Sequence, residues 1–109
     1  MTKVAVVFAE GFEEIEALSP VDVFRRAGFD CNMLGLESAS VTGSHGIQVA
    51  MDGVFDGNFT DYDLVVLPGG MPGSTNLRDN QALIVSLQDA AKAGKYVAAI
   101  CAAPIVLER

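Results

Sequence analysis

Apolar positions along this chain switch between a strand-like and a helix-like spacing. Val4 to Ala9 is an unbroken apolar run, the pattern of a strand covered on both faces. Glu10-Gly11 interrupts it. From Glu13 to Ala27 the pattern reads as helix, with Ile15, Leu18, Val21, Val23 and Phe24 apolar. Pro20 is expected to kink or restart that helix, and Gly28 to terminate it. Cys31 to Leu36 predicts a second strand. Val41-Thr42, the turn at Gly43-Ser44, and Ile47 to Ala50 predict a short antiparallel excursion. Leu64 to Leu67 is a third buried strand, closed by Pro68-Gly69-Gly70. Asn80 to Ala93 predicts a helix with Ala82, Leu83, Leu87, Ala90 and Ala91 on its apolar side, ended by Gly94. Tyr96 to Ile100 is a further buried strand, and a helix begins at Ala103.

Strands alternating with helices predict βαβ units and a mostly parallel sheet. In such sheets ligands bind beyond the carboxyl ends of the strands. That rule selects three places: Ala9-Glu10-Gly11, Leu67-Pro68-Gly69-Gly70 and Ile100-Cys101-Ala102. The chain shows no internal repeat and no linker, and its 109 residues suit one modest domain spanning residues 1–109. The last helical pattern holds only Pro104 to Arg109, with no capping glycine and no return strand. Two complete helices would also leave one sheet face poorly covered. Both features predict a domain incomplete at its C-terminus, whose docking partner is the remainder of the same protein.

Composition narrows the classes. Fourteen acidic and seven basic side chains give a net charge of −7. The one basic pair, Arg25-Arg26, is read as a solvated helix end, so a nucleic-acid backbone is not an expected partner. Two cysteines are too few for a disulfide scaffold, and their apolar flanks predict reduced thiols in the cytoplasm. The apolar run after Lys3 is too short to cross a membrane and lacks the features of a signal peptide.

Cys101 is the first candidate for chemistry. It lies where an apolar strand meets a helix, the setting in which a tight turn exposes a nucleophile. A helix starting just after it favours the thiolate. The alternative is a small buried hydrophobe, with which Cys31 inside its strand also agrees. The consecutive glycines Gly69 and Gly70 could bring backbone N–H groups to an oxyanion, or form an ordinary turn. Glu13, Glu14 and Glu16 cluster at a helix start, as the helix dipole alone would favour. Glu16, set between Ile15 and Ala17-Leu18, could instead point into the cleft and move protons. His45, in the turn Gly43 to Gly46, is expected to be solvated. No other His or Cys stands at ligand spacing, so no metal is expected.

Taken together these residues resemble the ThiJ/PfpI superfamily, in the branch of the Parkinson-disease-associated protein deglycase and its bacterial relatives. The resemblance rests on Ala9-Glu10-Gly11-Phe12-Glu13-Glu14-Ile15-Glu16, Pro20 to Gly28, Leu67-Pro68-Gly69-Gly70 and Ala99-Ile100-Cys101-Ala102-Ala103-Pro104, in that order over nearly the whole chain. It implies a flavodoxin-like (class I glutamine amidotransferase-like) sheet sandwiched by helices, here the N-terminal part, and a homodimer. It makes Cys101 the nucleophile and Glu16 the carboxyl that hydrogen-bonds its sulfur. It makes backbone N–H groups of Gly70 and Ala102, beside Gly69, the oxyanion donors, and sets Arg26 near the dimer interface and the site.

The implied activity is a cofactor-free glyoxalase or deglycase acting on reactive aldehydes such as methylglyoxal. The alternatives are an oxidative-stress sensor or chaperone with an oxidisable cysteine, and an intracellular cysteine peptidase. The family places a His after the elbow helix, beyond Arg109, and His45 is no substitute on sequence grounds.

Overall fold

The structure, a computed structural model, describes residues 2–99. The last residue of the expected strand, Ile100, the expected helix from Ala103, and both Cys101 and Ala102 lie outside the described residues. Five strands form one sheet: β1 (Lys3–Phe8), β2 (Asp30–Gly35), β5 (Gly53–Val54), β6 (Leu64–Leu67) and β7 (Tyr96–Ala99). Their order is β5-β2-β1-β6-β7, and every pairing is parallel. Strands β3 (Ser40–Thr42) and β4 (Gln48–Ala50) make a separate antiparallel hairpin. This is the mostly parallel, helix-flanked architecture expected from the alternating patterns.

Helix α1 (Glu14–Arg26) covers one face, α2 (Gly73–Arg78) and α3 (Gln81–Lys92) the other. The alternation of β1 divides the core between them. Val4, Val6 and Phe8 pack with Ala17 and Val21 of α1. Ala5, Val7 and Ala9 pack with Leu77 of α2 and Leu83 and Leu87 of α3. On β7, Val97 and Ala99 pack toward α3, whereas Tyr96 is 77% exposed. This strand, expected to be buried, is so only on its α3 side: Tyr96 and Ala98 are exposed.

Of the kink or restart expected at Pro20, the restart does not occur: α1 continues through Pro20 as one helix. Proline at this position removes one hydrogen bond, to the carbonyl of Glu16. Burial of Ala17 and Val21 against the sheet holds the helix together across that gap. Gly28 ends it as expected, at φ +88, with its N–H donating to Arg25 O at 3.1 Å. The sequence patterns missed two elements. α2 is six residues long with no side-chain cap, and β5 is two residues long. Neither is long enough to show a period.

Candidate functional site

Strand β1 is the pivot of the sheet. The chain leaves it through α1 to β2 on one side and later returns to β6 on the other. The carboxyl ends of β1 and β6 therefore flank the topological switch point, where open α/β sheets bind ligands. The two segments that meet there are residues 9–13, after β1, and 68–73, after β6.

These segments interlock through backbone contacts. The N–H of Glu13 donates to Gly69 O at 2.9 Å, and that of Gly73 to Gly11 O at 3.1 Å. Asn76 Nδ2 of α2 donates to Glu10 O at 2.8 Å. Gly70 adopts φ +98, and a Cβ there would strike the Glu13 nitrogen and the Phe12 carbonyl carbon. Only glycine combines that conformation with that approach. The sequence pair Gly69-Gly70 thus serves to press the β6 loop against the start of α1. Gly69 contributes a carbonyl acceptor to that contact.

The start of α1 carries three carboxylates with three separate placements. Glu13 is the N-cap, its Oε1 accepting from Ile15 N and its Oε2 from Glu16 N, each at 3.1 Å. Glu16 is half-buried, with Oε1 shielded from water. Glu14 is 4% exposed and turns toward the β3–β4 hairpin. Its Oε2 accepts from the N–H groups of His45 (2.9 Å) and Ile47 (3.3 Å), and its Oε1 lies 2.9 Å from His45 Nδ1. Burial pushes the Glu14 carboxyl up, but the hydrogen bonds from the His45 ring and the backbone outweigh it and hold it at about 2. In return, the hydrogen bond and charge of Glu14 raise His45.

His45 is exposed, as expected of a turn histidine, yet it is tied to a buried carboxylate, which the sequence pattern did not suggest. Gly43 makes the arrangement possible, because a Cβ there would collide with the Glu14 carboxyl group. Glu13, Glu14 and His45 each offer a ligand atom within 4.8 Å of one another. The carboxylate oxygens are already engaged by α1 and hairpin N–H groups.

Arg25 departs from the solvated reading. Its Nε and Nη2 both donate to Cys31 O, at 3.1 and 3.0 Å, and Nη2 also reaches Asp52 Oδ2 at 2.6 Å. Met33 N–H donates to the same Asp52 oxygen at 2.7 Å. Arg25 therefore ties α1 to β2 and to the turn before β5. Arg26 is exposed, and Asp22 one turn back raises its guanidinium. Ten helical residues, about 15 Å of axis, separate it from Glu16, so within one copy it stands away from the switch point.

Cys31 is buried, and that burial pushes its thiol up, with Arg25 opposing and Asp52 and Asp30 adding. Cys101 and Ala102 are not among the described residues. The pairing of Leu67 with Ala99 fixes β7 beside β6 just before them, at the same end of the sheet as Gly69 and Gly70.

This arrangement defines a flavodoxin-like α/β domain with a partly buried glutamate beside its switch point. The chain belongs to the DJ-1/PfpI family, whose model matches residues 2–109. The zebrafish (Danio rerio) Parkinson disease protein 7 homolog is 37% identical over 105 residues, 94% of this chain and 56% of that protein. An archaeal protein named a deglycase, from Thermococcus kodakarensis, is 32% identical over 106 residues, 96% of this chain and 63% of that protein. Among solved structures, oxidised Toxoplasma gondii DJ-1 superposes with a TM-score of 0.93 at 41% identity, over 99% of this chain and 60% of that one. The chain thus spans less than two thirds of the length of these relatives. No helix among the described residues is long and apolar enough to cross a membrane.

Proposed function

We propose that the protein is a cofactor-free, cysteine-dependent enzyme of the glyoxalase or deglycase type, acting on small reactive aldehydes. The observation that carries the reading is Glu16: a half-buried carboxyl with one oxygen shielded from water, on the first turn of the helix whose start, at Glu13, is held by Gly69. A relative named a deglycase supports the substrate class.

In this reading the Cys101 thiolate adds to the aldehyde carbon of methylglyoxal and gives a hemithioacetal. Backbone N–H groups of Gly70 and Ala102 hold the oxyanion. Glu16 takes the proton from the former aldehyde carbon and returns it to the adjacent carbon, leaving a thioester. Water cleaves the thioester to lactate and frees the thiol, so the net change is addition of one water. The relatives' greater length and the uncovered sheet around Tyr96 support a larger whole, in which the rest of the protein and a second copy complete the site. Arg26 would then serve a second copy's site. We assign the working compartment to the cytoplasm.

The test is lactate formation from methylglyoxal by the purified protein, alongside Cys101→Ser. Turnover abolished by Cys101→Ser supports the enzyme, and turnover unchanged in that variant ends it. Iodoacetamide should modify Cys101 well before the buried Cys31; faster reaction at Cys31 would count against the nucleophile assignment. A second reading, a peroxide sensor, draws on the oxidised form in which the Toxoplasma relative was solved. It expects no turnover, and two oxygens added at Cys101 under mild peroxide.

A further inference from the structure

A second concave site lies at the same end of the sheet but on the far side of the β1 loop. It is a cavity of about 490 Å³ above the carboxyl ends of β1 and β2. Its floor is apolar: Phe8, Leu36 and Val41 are each almost completely buried. Its rim carries Glu10, Glu37 and Asp79, and among the described residues no Lys, Arg or His lines it. Neither Glu16, Gly69 nor Gly70 belongs to it.

The charge at the rim is uncompensated on one side. Asp79 pairs with Arg78 at 3.2 Å. Among the described residues Glu10 and Glu37 form no ion pair. Glu10 is nevertheless held in place, its Oε2 accepting from Thr42 N–H at 3.1 Å. Asn76 donates its amide to Glu10 O, which leaves its side-chain carbonyl as a further acceptor. The volume falls within the usual range for small-molecule sites, roughly 300–1,000 Å³.

We propose that this cavity binds a small organic cation, a primary amine or guanidinium on a short alkyl body. Three carboxylates with no cationic side chain among the lining residues select a cation over an anion. The floor of Phe8, Leu36 and Val41 offers no ligand atom to a metal ion, but it shields alkyl carbon from water. A planar guanidinium can engage one carboxylate through two N–H groups. The site is independent of the chemistry at Cys101.

The probe is agmatine, titrated into the purified protein and followed by amide chemical shifts. We expect saturable shifts at Phe8, Leu36 and Asn76, weakened in about 0.5 M salt. Butyrate and n-butanol, of similar alkyl length, should give none. Glu10→Gln keeps an oxygen for Thr42 N–H. Combined with Glu37→Gln, it should weaken agmatine about tenfold or more. Ser38→Trp, at an exposed lining position, should block binding while the thermal midpoint stays put. No saturable shift, equal shifts with butyrate, or an unchanged affinity in the double variant would overturn the proposal.

Discussion

Two sides of one helix turn invite comparison. Glu14 and Glu16 are the same residue type two positions apart, which on a helix points them about 200° away from each other. On the hairpin side, Glu14 is buried and receives N–H groups from His45, Ile47 and the His45 ring. Glu16, two residues on, is only half-buried, with one carboxylate oxygen shielded from water. Burial alone therefore does not mark a reactive carboxylate. Glu14 is more buried, yet its hydrogen bonds favour the anion, and a carboxylate held at about 2 does not carry protons near neutrality.

The sharpest break of this comparison is a crossed pair of variants. Glu16→Gln should lower methylglyoxal turnover by about 10²–10⁴-fold and leave the thermal midpoint near its starting value. Glu14→Gln should do the reverse. Its amide oxygen can still accept from the backbone N–H groups, but its NH2 then faces the His45 ring and the charge is lost, so the midpoint falls while the folded fraction keeps its rate. Rates and midpoints measured on both variants decide it. Equal loss of turnover in both, with folding intact, would erase the distinction.

A second break acts through Gly43. Gly43→Ala places a methyl group against the Glu14 carboxyl. We expect about 1–3 kcal/mol of destabilisation, the usual cost of overpacking, read from urea unfolding. A cost near zero would mean that the hairpin can move away from Glu14 freely.

Much of the fold could be read from the chain, because each long element had a full period to display. Leu64–Leu67 was predicted to the residue, and Asn80 and Ala93 proved to be the caps of α3. The elements that escaped, α2 and β5, are shorter than one readable period. The candidate site was legible only in part. Gly69-Gly70 announced a close backbone approach, and the structure shows what it approaches. The roles of Glu14, His45 and Arg25 were not legible, since their partners lie between 6 and 33 residues away in the chain. Acidic residues in a first helical turn have a local explanation in the helix dipole, and that explanation hid the long-range one. In retrospect a glycine opening the turn Gly43 to Gly46 was the available signal that a side chain enters the turn.

A smaller effect tests whether the β2 side is held by geometry or by charge alone. Arg25→Lys keeps the charge near Asp52 but loses the fork that grips the Cys31 carbonyl with two N–H groups. We expect a loss of about 1 kcal/mol or less in unfolding free energy. Amide exchange at Met33, whose N–H shares Asp52, should quicken selectively. Unchanged exchange there would assign the clamp to charge, not geometry.

The smallest effect concerns the hairpin's response to pH. His45 is raised by Glu14, so its share of stability is complete below its ordinary value of about 6.5 and is lost as pH rises through the raised value. Glu14 is lowered, so its share is complete above about 4.5 and is lost as pH falls through about 2. Both shares are whole only between roughly pH 4.5 and 6.5, where exchange of the His45 and Ile47 amides, corrected for its intrinsic pH dependence, should be slowest. The His45 ring is 70% exposed, so its share is modest and should shrink with added salt. Ring titration by NMR checks the cause directly. In the wild type the ring should titrate above its ordinary value, and in Glu14→Gln it should fall back toward it. A ring that titrates identically in both proteins would show that Glu14 holds the hairpin through the backbone N–H groups alone.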